Sequence, residues 1–237
     1  MIRAVFFIIV VVVTTSIGAI IVMILGLFNR YSRFTYFQIV QRWARLVVWT
    51  SGTTVTVRGL EHIDSHKPYI VVSNHQSHMD IPVLIGYLPL HMTIIAKKEL
   101  FRIPIFAQGM YAVGILKIDR SNRTRAFETL KKAEEVLKKY NISVLAFPEG
   151  TRSRNGMLQP FKKGPFVMAI NSGIDILPIT ISGTFPILPK GRLLVRPGSV
   201  TLTVHPPIQV SPYSLEDRDR LIEIVHETIA KGLFEYA

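Results

Sequence analysis

Tyr69-Ile70-Val71-Val72-Ser73-Asn74-His75-Gln76-Ser77-His78-Met79-Asp80-Ile81-Pro82 is the stretch on which the reading of the fold turns. Tyr69 to Val72 is an apolar run of the kind a buried strand presents. Pro82 suits the first turn of a helix. His75 therefore falls where a strand has ended and a helix is about to begin. His75 and Asp80 are five apart, which on a regular helix would set them about 140° from each other and out of contact. They can pair only if His75 lies in the turn before the helix and Asp80 curls back from its start. Asp80 would then accept from one ring nitrogen and leave the other free as a base. The plainer alternative makes Asp80 a helix N-cap and His75 an ordinary turn residue.

Outward from this stretch, apolar runs alternate with helical patterns from Thr53 onward. Strands are predicted at 53–57, 69–72, 93–96, 115–118, 143–147, 176–181, 193–196 and 200–204. The clearest helix runs from Ser121 to Tyr140, with Ala126, Phe127, Leu130, Ala133, Val136 and Leu137 on one face and Lys and Glu residues opposite. Ser214 with Asp217 resembles a capping box that opens a last helix reaching about Phe234. Strands alternating with helices predict an α/β fold, its mixed, largely parallel sheet flanked by helices. One boundary is expected near Ser51-Gly52, dividing residues 1–51 from a globular domain at 52–237.

The first part has a different composition. Ala4 to Phe28 carries no charge and is rich in Val, Ile, Leu and Phe, long enough to cross a bilayer core as a helix. A cleaved signal peptide is the rival, with Arg3 before the run and Ser16-Ile17-Gly18 as a small-residue site, but the run continues past the usual apolar length. From Tyr31 to Trp49, Gln38, Gln41, Arg42 and Arg45 share one helical face, and Tyr36, Ile39, Val40, Trp43 and Val47 cover the rest. That pattern fits a helix lying in a membrane interface, or a surface helix packed on its own domain. Residues 1–51 are thus expected to form a two-helix membrane element.

The chain has 28 Lys and Arg against 16 Asp and Glu, a net charge of +12, so an anionic partner is expected. Charge alone admits nucleic acid, anionic lipid or an acidic carrier protein. No cysteine is present, which excludes disulfides, thiolate nucleophiles and thiolate metal sites. His75, His78 and Asp80 carry donor atoms for a metal, but no convincing further ligand accompanies them.

Three more clusters sit at strand ends. Lys97-Lys98-Glu99-Leu100-Phe101-Arg102 follows one strand, and Gly114 to Arg120 ends another at a basic residue. Phe147-Pro148-Glu149-Gly150-Thr151-Arg152-Ser153 ends a further one. Gly150 permits positive φ or close approach, and Thr151 and Arg152 can donate to phosphate oxygens. Each basic residue taken singly reads as a solvated surface charge, and Glu-Gly-Thr as an ordinary turn. Parallel strands, however, bring their carboxyl ends to one crevice.

Taken together, Asn74-His75-x-Ser77-x-x-Asp80, Lys98 through Arg120, Phe147-Pro148-Glu149-Gly150-Thr151-Arg152 and Leu177-Pro178-Ile179 resemble the four ordered blocks of the glycerolipid acyltransferase family. The resemblance covers about Tyr69 to Ile181 and points to the bacterial 1-acyl-sn-glycerol-3-phosphate acyltransferase (PlsC-type) branch. It implies transfer of an acyl group from acyl-carrier protein or acyl-CoA to the sn-2 hydroxyl of lysophosphatidate at a bilayer, with no nucleic acid partner. His75 and Asp80 are the implied catalytic pair. Lys98, Arg120, Glu149, Gly150, Thr151 and Arg152 are the implied substrate-binding residues. No metal or cofactor is implied, because a thioester is already activated. The active site would face the cytosol at the cell membrane, since Arg30, Arg33, Arg42 and Arg45 follow the apolar run and only Arg3 precedes it.

Overall fold

The computed structural model describes residues 2–119 and 122–234. Its strands are β1 (Thr53–Arg58), β2 (Ile70–Ser73), β3 (Met92–Lys97), β4 (Leu116–Ile118), β5 (Ser143–Ala146), β6 (Ile176–Ser182) and β7 (Gly198–Val204). They form one sheet in the order β1-β7-β6-β2-β5-β3-β4, parallel throughout except for the antiparallel pair β6 and β7. The mixed, largely parallel sheet is therefore as expected. One strand is not: 193–196 is an irregular connection with Leu193 and Leu194 exposed to solvent. Both edges of β7, the strand that follows it, are already taken by β1 and β6, so this run cannot pair with its chain neighbour.

The helices are α1 (Ile2–Gly26), α2 (Arg33–Thr35), a π-helical turn at Tyr36–Val40, α3 (Gln41–Ser51), α4 (Asp80–Tyr87), α5 (Phe106–Ala112), α6 (Arg123–Tyr140), α7 (Gly164–Ser172) and α8 (Arg218–Phe234). Ser214 and Asp217 do bond each other, but Asp217 gives the first helical carbonyl, to Leu221 N, so α8 opens one turn later than a Ser214 cap predicts.

Alternation of side chains divides the core in two. Val71, Leu145, Leu177 and Ile179 face α3 and α4, whereas Ile70, Val72, Val144 and Ile176 face α6, α7 and α8. Strand β2, buried on both faces, lies at the centre of the sheet. The chain leaves β2 toward α4 on one face and leaves its neighbour β5 toward α7 on the other. That divergence opens a crevice beyond the carboxyl ends of these two strands, the usual ligand position in such sheets.

Helix α1 lies along the domain. Trp43 Nε1 donates to Thr15 Oγ1, and Ala19 sits so close to Gly109 of α5 that a Cβ there would come within 2.8 Å of it. The opposite side of α1 is apolar and exposed, including Val5, Phe6, Ile9, Val12 and Ile24. In α3 the expected polar stripe is divided. Gln41 Nε2 donates to the carbonyls of Ile85 and Leu88, and Arg45 Nε donates to that of Gly86 at 2.6 Å. Both side chains therefore satisfy carbonyls that the end of α4 leaves unpaired, and the arginine's charge suits that end of the helix. The apolar face of α3, with Ala44, Val47 and Val48, is part of the core that also contains α4.

Candidate active site

The turn between β2 and α4 brings His75 and Asp80 together. His75 Nδ1 lies 2.7 Å from Asp80 Oδ2. Asp80 is the first residue of α4, with Met79 preceding it as N-cap, so the carboxylate can reach back into the turn. It also accepts from the amides of Gln76 and Ser77, at 2.7 and 2.8 Å, through the same oxygen. Its other oxygen, Oδ1, accepts the hydroxyl of Thr184 at 2.6 Å. Asp80 and Thr184 are fully buried. With four donors around it, the carboxylate has a single orientation, and an anion at Oδ2 selects the His75 tautomer protonated on Nδ1. Nε2 is then the basic nitrogen.

The ring plane is fixed as well. His75 stacks on Phe147, with centroids 4.0 Å apart and planes 18° from parallel. Its backbone amide donates to Glu149 Oε1 at 2.6 Å, and its carbonyl accepts from Ser153 N. Glu149 Oε2 also accepts from Gln159 N. Burial pushes the Glu149 carboxyl up to about 7, against the pull of these two amides. The side chain of Asn74 pairs with both backbone groups of Ile181, tying the start of the turn to β6. The turn is thus held from β5, β6 and the segment that follows β6.

Arg152 is half-buried, and among the described residues no hydrogen bond or ion pair engages its guanidinium. Burial holds it below the ordinary arginine value, while the charge of Asp80 favours its protonation. His78 is held below the ordinary histidine range by burial, by Arg152 and by His75. Gly150 has φ +74° and lies under the Lys162 side chain, which a Cβ would meet at 2.8 Å. Thr151 Oγ1 accepts from Lys190 Nζ at 3.0 Å.

The residues expected from sequence divide into two groups. His75, Asp80, Glu149, Gly150, Thr151 and Arg152 gather at the ends of β2 and β5. Lys98 stands beyond β3, where its ammonium pairs with Asp119 at 2.8 Å. Arg120 lies outside the described residues. Sequence reasoning missed Thr184 and Lys190, which reach the site from after β6 and carry no local signal. Backbone amides around the start of α4 are candidate oxyanion donors. Those of residues 75 to 79 already have acceptors: Glu149, Asp80 twice, the carbonyl of Leu188, and Ser77 Oγ. Ser77 is fully buried and its hydroxyl donates to Leu188 O at 2.9 Å.

Fold and site together define an open α/β protein whose crevice holds a histidine paired with a buried aspartate. The sequence pattern of the family described as Acyltransferase matches residues 54–182. A 1-acyl-sn-glycerol-3-phosphate acyltransferase from Limnanthes douglasii is 35% identical over 188 residues, 79% of this chain and 66% of that protein. The 1-acyl-sn-glycerol-3-phosphate acyltransferase alpha of Mus musculus is 33% identical over 179 residues, 75% of this chain and 63% of that protein. The crystal structure of the 1-acyl-sn-glycerophosphate (LPA) acyltransferase PlsC from Thermotoga maritima superposes with a TM-score of 0.84 at 30% identity, covering 99% of this chain and 94% of that one. This chain belongs to the acyltransferase family. It spans just under two thirds of the length of the Limnanthes relative.

Proposed function

We propose that the protein is a 1-acyl-sn-glycerol-3-phosphate O-acyltransferase, moving a fatty acyl group from acyl-carrier protein or acyl-CoA to the sn-2 hydroxyl of lysophosphatidate. The observation that carries this reading is the oriented His75–Asp80 pair beside the half-buried Arg152. His75 Nε2 takes the proton of the acceptor hydroxyl as its oxygen attacks the thioester carbonyl. Asp80 stabilises the imidazolium that forms, and the proton then passes to the departing thiolate. Ser77 is not the nucleophile, because its hydroxyl is buried and given to Leu188, so acceptor and donor react directly. Arg152 and Thr151 hold the acceptor phosphate, Lys98 and Arg120 contribute to binding the same substrate, and Glu149 and Gly150 shape the turn beneath it.

An apolar cavity between α1, α3, α5 and the sheet, lined by Gly18, Trp43, Ile81, Ile85, Ile94 and Met110, takes an acyl chain. Ile81 follows Asp80 directly, so a chain in that cavity has its carbonyl near the catalytic pair. Residues 1–51 form the membrane-associated two-helix element and 52–237 the acyltransferase domain. The exposed apolar side of α1 is immersed in the cytosolic leaflet of the cell membrane, beside which cytosolic thioesters arrive. The test is to supply purified protein with lysophosphatidate and an acyl thioester, following phosphatidate and free thiol. The expected result is equimolar formation of both by the wild type. His75→Ala should lower the rate on the order of 10²–10⁴-fold with its melting temperature unchanged. Near-normal turnover by folded His75→Ala would remove the mechanism.

A further inference from the structure

At the β4 edge of the sheet lies a second pocket, of about 590 Å³. Among the described residues six cations line it, Arg30, Lys98, Arg102, Lys117, Arg125 and Lys132, against the two carboxylates of Asp119 and Glu128. Lys98 and Arg125 both approach Asp119, at 2.8 and 3.7 Å. Among the described residues none of Arg30, Arg102, Lys117 and Lys132 is in an ion pair. The positive charge is therefore larger than its own acids offset. In the strand order β4 is three places from β2, about 14 Å at the usual spacing. A phosphate on the glycerol whose hydroxyl meets His75 lies only about two C–C–O steps from that hydroxyl, so the β4 side of this pocket, beyond Lys98, is not where the reacting acceptor keeps its phosphate.

Its rim is apolar. Arg30 comes just after Leu27 and Phe28, which are 84% and 87% exposed at the end of α1. Leu100, Ile103 and Ile105, also exposed, interleave with Lys98 and Arg102. The turn carrying Arg30 is fastened to the domain, since Tyr31 rests on Gly114 and meets Tyr140 with ring centroids 4.2 Å apart. A concave basic site opening beside exposed apolar side chains fits an amphiphile with an anionic head better than the flat acidic face of a protein. We propose that this pocket binds the phosphate headgroup of an anionic phospholipid that is not the molecule being acylated, and so seats the α1 end of the protein on anionic membrane. This rests on the membrane reading of α1 given above.

The experiment measures binding of the full-length protein to vesicles of phosphatidylcholine alone and of phosphatidylcholine with about a third phosphatidylglycerol. The pocket variant is Arg102→Gln/Lys117→Gln/Lys132→Gln, and a charge-matched control is Lys67→Gln/Lys138→Gln/Lys231→Gln, none of which lines the pocket. Anionic lipid should strengthen binding of wild type and control alike. The pocket variant should lose on the order of 100-fold of that increment, at roughly tenfold or less per cation, while keeping its binding to neutral vesicles. Equal losses in pocket variant and control would mean diffuse attraction only and overturn the proposal. Saturable binding of water-soluble glycerol 3-phosphate that the pocket variant alone loses, with vesicle binding unchanged, would make the ligand a free phosphate compound and overturn it too. If the variant bound vesicles normally but slowed only with acyl-carrier protein as donor, the pocket would belong to the carrier. Failure of wild type to bind even neutral vesicles would instead sink the membrane reading, and this proposal with it.

Discussion

Thr184→Val tests whether the orientation of Asp80 depends on a residue 104 positions away. The Thr184 hydroxyl is the donor to Asp80 Oδ1, at 2.6 Å, while the other three donors share Oδ2. Both residues are fully buried, so water does not readily replace the lost donor. A hydrogen bond to a charged group contributes about 1.5–3 kcal/mol. In a protein of this size each kcal/mol shifts the melting temperature by roughly 2–4 °C, so a fall of about 3–12 °C is expected. The chemistry should change too. A less constrained carboxylate holds the ring less well, and kcat should fall on the order of tenfold with little change in either KM. Thr184→Ser, which keeps the hydroxyl, should restore stability and rate together. The reasoning fails if Thr184→Val shows wild-type kcat and an unchanged melting temperature.

Ser77→Ala should keep most of its transfer rate while losing about 1–3 kcal/mol of stability, because the buried Leu188 carbonyl and Met79 amide lose a partner; loss of all turnover with the fold intact would point to an acylated serine. Arg152→Gln should raise KM for lysophosphatidate by about 10–100-fold and leave that for the acyl donor nearly unchanged, which initial rates with each substrate varied in turn will show. The Glu149 carboxyl, raised from its ordinary value to about 7, binds its proton more tightly in the folded chain than in the unfolded one. Its contribution to stability is therefore fully present below about pH 4.5 and is lost as pH rises through 7. Melting curves across pH 4.5–7 should fall less steeply for Glu149→Gln than for wild type, although the variant starts lower because its amide nitrogen must face one of two N–H donors; parallel curves would exclude the effect.

Much of this site is local, and local features are legible in sequence. A strand, a turn and a proline-marked helix fix where His75 and Asp80 stand along the chain, and the five-residue spacing allows one way for them to pair. The alternation of β and α patterns likewise determines a largely parallel sheet, because connections between parallel strands need a crossover. Sequence patterning does not determine strand order. Only the order β6-β2-β5 puts Glu149 under the amide of His75 and Thr184 against Asp80, through pairings that span 74 and 104 residues. The stretch 193–196 has strand composition, but β7 beside it in the chain has both edges filled, so packing overrides its local preference. Gln41 and Arg45 lie on a polar helical stripe that composition assigns to water or headgroups. Their partners are the carbonyls at the end of α4, and whether a polar side chain meets solvent or a buried carbonyl depends on which helix packs beside it.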